Sequence, residues 1–225
     1  MGTTAKRPQG PHHCLEEEGK GRTLCDTAHP VFKDIEDDDY NWKEFYPNAA
    51  EELPPNMLEP KGKQVRITVH LDADHARDVV TRRSVTGVLV FLNDTPIRWI
   101  SKRQRTVETS MCGLEMVAAR IATETVMELR HQLRMSGVPI DGPSMMCGNN
   151  QSVALNTTVP SSALKKKWHA CSCHRVREAI AGKIIVFKHI SSAENFADVL
   201  TKPLDGDAFH ALIKPHLFRN PEWDT

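Results

Sequence analysis

The chain has 225 residues, and its 29 Lys/Arg balance its 29 Asp/Glu, so it lacks the strong positive excess that is usual for nucleic-acid-binding domains. No apolar run approaches the roughly 20 residues needed to span a bilayer, so we expect no membrane partner. The six cysteines follow no disulfide framework and no signal peptide opens the chain. We therefore expect a soluble intracellular protein in a reducing compartment, either cytoplasmic or nuclear.

Charge is divided unevenly along the chain. Residues 1–63 hold 8 Lys/Arg and 13 Asp/Glu, whereas residues 64–225 hold 21 and 16, which gives balances of −5 and +5. The leader at 1–30 is polar and aperiodic, and we expect it to be disordered. The segment 31–63 combines an acidic run with several aromatics and two adjacent prolines, which indicates a linker that packs a few aromatic side chains on a neighbour.

The hydrophobic pattern tightens from residue 64. Apolar and polar residues alternate over 65–71, which predicts a half-buried strand. Two more strands are predicted at 85–92 and 97–100, and the polar residues 93–96 predict a turn between them. These three strands predict an antiparallel meander.

The period becomes helical after the meander. Apolar residues recur at helical spacing over 114–135 and Gly137 ends the run, which predicts a long amphipathic helix. The remaining predicted elements are a strand at 144–147, a short helix at 150–157, a basic helix at 165–181, a strand at 184–190, and helical pieces at 194–200 and 208–217. This order predicts an α/β fold, a mixed five-stranded sheet with helices on both faces.

Four polar side chains lie near the ends of predicted elements. Asp72 ends the first strand, Glu115 lies in the first turn of the long helix, Asn149 follows the fourth strand, and Asp198 lies in the last polar stretch. Polar groups in such sheets gather at strand ends and the adjoining helix starts, so we expect the four to meet at one edge. The residues alone leave a simpler alternative open, in which Asp72 caps a turn and the other acids favour helix N-termini through the helix dipole.

Seven motifs follow one another between about residues 64 and 217 without large gaps. They are Asp72-Ala-Asp-His-Ala, Thr81-Arg-Arg-Ser-Val-Thr-Gly87, Pro96-Ile-Arg-Trp-Ile-Ser-Lys-Arg-Gln104, residues 110–118, Asn149-Asn-Gln-Ser152, His174-Arg-Val-Arg-Glu178 and Ala197-Asp-Val-Leu-Thr-Lys-Pro-Leu204. As an ordered series they resemble the ribonuclease H domain of Ty1/copia-type retrotransposon Gag-Pol polyproteins. The resemblance implies a ribonuclease H-like domain at 64–204, a tail with a short helix at 205–225, and a linker at 31–63 left from the connection to a missing reverse transcriptase.

The resemblance also implies an activity, which is hydrolysis of RNA in RNA–DNA hybrids by attack of a water bound to one of two Mg²⁺ or Mn²⁺ ions. Asp72, Glu115 and Asp198 match the acids that bind metal, and Asn149 stands where the family has an aspartate. His189 and Asn195 match the polar pair that precedes the last aspartate, and the resemblance implies that His189 is a catalytic residue. Because an amide carries no charge, we expect hydrolysis to be impaired. The alternative is a catalytically inactive, nucleic-acid-binding remnant of the polyprotein.

Basic residues of the helix predicted at 165–181 are the candidates for binding the hybrid through its backbone and 2′-hydroxyl groups. They are Lys165, Lys166, Lys167, His169, Arg175 and Arg177, and a solvated helix face explains them equally well. Weaker candidates are Arg82, Arg83 and Lys102. A third reading is a zinc protein, with ligands drawn from His169, Cys171, Cys173 and His174 or from the His and Cys residues of the leader, whose spacing matches no standard finger.

Overall fold

Five strands form one mixed sheet in the computed structural model, which describes residues 40–75, 80–105, 107–108, 110–164 and 167–214. The strands are β1 (Ile67–Asp74), β2 (Val85–Leu92), β3 (Thr95–Arg103), β4 (Ser144–Gly148) and β5 (Ile185–His189). Their order across the sheet is β3-β2-β1-β4-β5. The leader that was expected to be disordered lies outside the described residues.

The first three strands form the predicted meander, with β1 antiparallel to β2 and β2 antiparallel to β3. Strands β4 and β5 run parallel to β1, so the sheet is mixed as predicted. β3 begins earlier than predicted because the connection from β2 is a two-residue turn at Asn93 and Asp94, and it also continues beyond the predicted end, to Arg103. Asn93 adopts φ +54, a conformation that asparagine tolerates better than most residues.

The helices are α1 (Trp42–Phe45), α2 (Met111–Met135), α3 (Gln151–Thr158), α4 (Ala170–Ala181) and α5 (Gly206–Ile213), with 3₁₀ helices η1 (Lys167–His169), η2 (Ser192–Glu194) and η3 (Phe196–Leu200). α2 begins before the predicted residue 114 because Ser110 caps it, its hydroxyl accepting from the Gly113 amide at 3.2 Å. The helical piece predicted at 194–200 is divided into η2 and η3, and α1 was not predicted.

The two faces of the sheet have different partners. Side chains alternate along β1, so Leu71 and Ala73 face α2 and the hydrophobic core, whereas Asp72 faces the other way, where η3 packs against β1 and β2. Helices therefore contact both faces, as predicted. Among the described residues, no helix combines the length and apolar character that crossing a membrane requires.

The segment before β1 packs on the domain itself. Glu51 binds Arg130 and Arg134 of α2, with the shortest N–O distances at 2.8 and 2.6 Å. The Tyr46 hydroxyl lies 2.6 Å from Nδ1 of His174 on α4. The described part of the predicted linker therefore has its neighbour within this chain.

Candidate functional site

Three buried carboxylates meet where β1 ends, and we call Asp72, Glu115 and Asp198 the acid cluster. Their exposed fractions are 1%, 3% and 7%. β1 carries the first, the start of α2 the second, and η3 the third. The structure thus brings together the three acids that the sequence analysis assigned to metal binding.

Gly87 allows η3 to approach the sheet beside this cluster. It pairs with Asp72 across β1 and β2. A Cβ atom on Gly87 would lie 2.6 Å from the Thr201 methyl group and 2.9 Å from the Ala197 carbonyl oxygen. Only a residue without a side chain lets the backbone of η3, which carries Asp198, lie this close to β2.

The segment that follows Asp198 supplies donors to the cluster. The Lys202 ammonium lies 2.9 Å from Oδ2 of Asp198 and 3.3 Å from Oδ2 of Asp72. The Thr201 hydroxyl donates a short hydrogen bond to the same Asp72 oxygen. Two of the three acids therefore share one cation.

Burial and mutual repulsion set the protonation of the cluster. Burial, followed by the charge of Asp72, raises the pKa of Glu115 to about 8, against the opposing charge of Lys202. Burial also raises the pKa of Asp198 above its usual value, although the hydrogen bond from Lys202 lowers it. Burial lowers the pKa of Lys202, but its hydrogen bond to Asp198 and the charge of Asp72 outweigh burial and raise it.

Asn149 and His189 lie at the adjoining ends of β4 and β5. Asn149 follows Gly148, which pairs with Leu71, so the backbone of Asn149 adjoins that of Asp72 in the parallel register. Its nitrogen donates to the Ser192 hydroxyl at 3.1 Å, and its backbone oxygen lies 3.1 Å from Nε2 of His189. Asn149 therefore lies at the predicted edge and is bonded to η2, and His189 lies at the same edge, beside Gly148.

A buried asparagine fixes η3 against β1. The Asn195 amide nitrogen donates to the Leu71 carbonyl oxygen at 2.9 Å, and its side-chain oxygen accepts from the Ala197 amide at 3.2 Å. Asn195 is fully buried, so these bonds are shielded from water. Its contribution to the site is to orient the backbone that carries Asp198.

Two carboxylate oxygens of the cluster remain without a donor. Oε2 of Glu115 and Oδ1 of Asp198 are buried and accept no hydrogen bond within the described part of the chain. Such oxygens are suited to a cation. However, the described residues contain no group of three His, Cys, Asp or Glu side chains placed to hold one metal ion.

The described residues also contain no zinc site of the kind that the third interpretation of the sequence would require. His174 contacts the Tyr46 hydroxyl, Cys171 is exposed, and the Cys173 thiol donates to the Asn156 carbonyl oxygen at 3.4 Å. The His169 ring is buried, with Nε2 3.7 Å from Glu108. These side chains do not converge, and the candidate ligands of the leader lie outside the described residues.

Two of the four described basic residues selected near α4, Arg177 and His169, are buried and present no charged surface. Arg177 is buried and donates to the carbonyl oxygens of Asn156 and Ser162, both at 2.7 Å. Arg175 forms an ion pair with Glu178 at 3.0 Å. Lys167 is exposed, His169 is buried, and Lys165 and Lys166 lie outside the described residues.

The start of α2 leaves no room for a side chain at position 113. In the ribonuclease H domains that the motif series resembles, this helix start carries two glutamates, and Gly113 stands at the position of the first. A Cβ atom on Gly113 would lie 2.5 Å from Nε2 of His169. The imidazole ring therefore lies where a side chain at position 113 would have to be.

Sequence reasoning did not select Lys202, Thr201 or Gly87 for the site. A signal for Lys202 was available, because it follows Asp198 by four residues, the spacing at which a helical turn pairs a cation with an acid. Gly87 had no such signal, since its role depends on the approach of a segment more than 100 residues later in the chain.

No family model matches the chain. Among curated proteins, it is 27% identical over 149 residues to the Retrovirus-related Pol polyprotein from transposon RE2 of Arabidopsis thaliana, covering 66% of this chain and 10% of that protein. It is 29% identical over 140 residues to the Pol polyprotein from transposon TNT 1-94 of Nicotiana tabacum, covering 62% and 10%. The chain spans about a tenth of the length of these relatives. Its homologues are thus Ty1/copia-type Pol polyproteins, as the motif series predicted.

Among solved structures, the chain is similar to the N-terminal RNase H domain of Rv2228c from Mycobacterium tuberculosis. The TM-score is 0.49 at 11% identity, with 68% of this chain and all of the other covered. For RNase H1 from Halobacterium salinarum the TM-score is 0.48 at 16% identity, covering 60% and 94%. The strand order and the mixed strand directions are those of the mixed five-stranded sheet with helices on both faces that the sequence predicted.

Proposed function

We propose that this chain is a ribonuclease H-like domain of retrotransposon origin that binds RNA–DNA hybrids and in which hydrolysis of the RNA strand is impaired. The observation that carries the proposal is the acid cluster, in which three separate elements bring buried carboxylates to one corner of the sheet. Burying carboxylates near one another is costly, so packing alone gives no reason for such a cluster. Descent from Pol polyproteins favours the same reading.

Impairment follows from the residues that surround the cluster. In two-metal hydrolysis, ions about 3.5–4 Å apart activate the attacking water and stabilise the leaving oxygen. As they stand, the side chains here do not fit such a pair. Asn149 offers a neutral amide bonded to Ser192, and the Lys202 ammonium lies between two of the three acids.

A second surface supports binding of a nucleic acid. Ile97, Trp99, Ser101 and Arg103 are exposed along one face of β3, and we call them the β3 stripe. Ser101 lies in the same row as Gly87 and Asp72, and its hydroxyl donates to the Leu200 carbonyl oxygen of η3 at 2.7 Å. An exposed indole and a guanidinium on the face of the sheet that carries Asp72 would provide stacking and phosphate contacts for one strand.

The second candidate function is hybrid binding without any hydrolysis. It is favoured by the neutral amide of Asn149 together with Gly113, which replaces an acid at the helix start. In a longer polyprotein, the segment 31–63 would connect the domain to a reverse transcriptase.

Cleavage of a labelled RNA–DNA hybrid in Mg²⁺ and in Mn²⁺ tests the proposal. We expect wild-type hydrolysis at least about 10²-fold slower than that of Asn149→Asp, because the variant restores a carboxylate for a role worth several kcal/mol. Asp72→Asn should abolish the restored activity. Asn150→Asp is the matched control. It adds the same charge one residue away, where Asn150 caps α3 through its side-chain oxygen and aspartate serves equally well.

The outcomes separate the two candidate functions. Equal rates for wild type and Asn149→Asp would contradict impairment at this position. Cleavage by Asn149→Asp alone would indicate a preserved scaffold with one disabling change. Hybrid binding by every variant, with no cleavage by any, would support the binding function.

A further inference from the structure

Lys202 is the cation that balances the negative charge of the acid cluster, since it pairs with both Asp72 and Asp198. Asp72 and the side chain of Asp198 are 1% and 9% exposed, and the Lys202 side chain, 33% exposed, reaches both from the surface. A buried carboxylate without a counter-charge costs several kcal/mol, so one ammonium between two of them removes a large penalty. Lys202 is therefore part of what allows the cluster to exist.

The backbone holds the ammonium in that position. The Lys202 amide donates to the Asp198 carbonyl oxygen at 2.9 Å, and the Thr201 hydroxyl donates to Asp72. Lys202 Nζ also lies 3.4 Å from Oδ1 of Asp72, so both oxygens of that carboxylate already have donors. The Asp72 oxygens that a divalent ion would bind are thus already bonded to Thr201 and Lys202.

The two remaining acceptors point to competition. Oε2 of Glu115 and Oδ1 of Asp198 are buried without a donor, so the ammonium satisfies only part of the cluster. A divalent ion drawn to these two oxygens would have to share the cluster with Lys202, which already pairs with Asp198 and Asp72. Two cations that bind the same oxygens compete, so Lys202 weakens the binding of the metal ion and the metal ion weakens the binding of Lys202 to the same extent.

We propose that the Lys202 ammonium is the resident counter-ion of the acid cluster and that a divalent metal ion binds there only by displacing it. The cluster is then assembled without metal, and metal affinity is set by the cost of releasing Lys202. This inference rests on the proposed functional site but not on hydrolysis. Its test therefore measures metal binding and stability, and a failure of the cleavage assay leaves it standing.

The experiment is Mn²⁺ titration by calorimetry, with thermal unfolding in chelator and in Mn²⁺. For Lys202→Met we expect Mn²⁺ affinity about tenfold or more above wild type, a lower Tm in chelator, and recovery of Tm with Mn²⁺. Lys202→Arg keeps a cation and should remain closer to wild type in both measurements. Lys43→Met, which removes an exposed lysine from α1, is the control and should leave both unchanged.

A measurement on the wild-type protein covers the case in which Lys202→Met does not fold. Acylation of lysines, followed by mass spectrometry, should find Lys202 protected in chelator and more reactive at saturating Mn²⁺, whereas Lys188 on β5 should not change. Mn²⁺ binding by Lys202→Met no tighter than by wild type would overturn the proposal. Saturation of the wild type with Mn²⁺ without any rise in Lys202 reactivity would also overturn it.

Discussion

Glu115 is a carboxyl group held where ionisation is costly. It is 3% exposed, one of its oxygens has no donor, and the backbone of Ala73 donates to the group. Burial and the charge of Asp72 raise its pKa from the ordinary 4.5 to about 8. At neutral pH the folded protein therefore retains a proton that the unfolded chain releases, and the folded state is destabilised as pH rises.

This linkage predicts that Glu115→Gln becomes more stable relative to wild type as pH rises. The penalty of the native glutamate is absent below pH 4.5, grows between 4.5 and about 8, and is constant above that range. Urea unfolding at about pH 5 and about pH 7.5 should show the variant gaining roughly 1–3 kcal/mol on the wild type.

Glu124→Gln, an exposed position on the same helix that pairs with Arg120, is the control for this measurement and should show no such gain. The glutamine keeps an oxygen for the Ala73 amide, so a loss of folding is not expected. A difference between wild type and Glu115→Gln that is the same at both pH values would contradict a raised pKa.

At the scale of elements, the spacing of apolar residues in the sequence predicted the strands and helices whose position is set by burial in the hydrophobic core. β1 and α2 were located because their apolar residues repeat with the strand and helix periods that the core requires. The division of 194–200 into η2 and η3 had no such signal, because tertiary bonds such as that from Asn195 to Leu71 set it. The burial of Arg177 was equally hidden, since its carbonyl partners come from the α3 region.

The segment before β1 shows how one acid attaches an irregular stretch to a helix. Glu51 accepts from Arg130 at 2.8 and 2.9 Å and from Arg134 at 3.1 and 2.6 Å. Burial raises the pKa of Glu51, but the hydrogen bonds from both arginines outweigh it and lower the pKa to about 2. The Arg130 side chain is only 3% exposed, so it depends on this carboxylate for its counter-charge.

We expect Glu51→Gln to destabilise the domain by about 1–3 kcal/mol, because Arg130 would remain buried without a charged partner. A lowered pKa contributes stability that is present above pH 4.5 and is lost as pH falls towards 2. The difference between variant and wild type in denaturant unfolding should therefore shrink in acid. Glu52→Gln, at the adjacent exposed position, should have little effect, and an equal loss for both variants would contradict the anchoring role of Glu51.

At the scale of the whole molecule, the zero net charge conceals a local arrangement. Between residues 80 and 105 the described chain carries Arg82, Arg83, Arg98, Lys102, Arg103 and Arg105 but only one acid, Asp94. Arg98 pairs with Glu128 of α2 at 2.8 Å. The other five basic residues lie on or beside β2 and β3, at the edge of the sheet that carries the β3 stripe. This placement favours β3 over α4 as the surface for a polyanion.

The β3 stripe gives the last prediction. Trp99 is 67% exposed, so Trp99→Ala should leave stability nearly unchanged. It should weaken hybrid binding by roughly 1–3 kcal/mol, the contribution of one base stacked on an aromatic ring. Arg103→Ala should lower the slope of log affinity against log salt by about 0.9, the value for one phosphate contact.

Fluorescence anisotropy of a labelled hybrid over a range of salt concentrations measures both effects. It needs no turnover, so the result is independent of Asn149. Phe45→Ala removes an exposed aromatic of α1, on the segment that contacts α2 and α4, and should bind as wild type does. If Trp99→Ala and Phe45→Ala bound equally well, the hybrid would not lie along β3. In that case the β3 stripe would not be the surface that holds the hybrid beside the acid cluster.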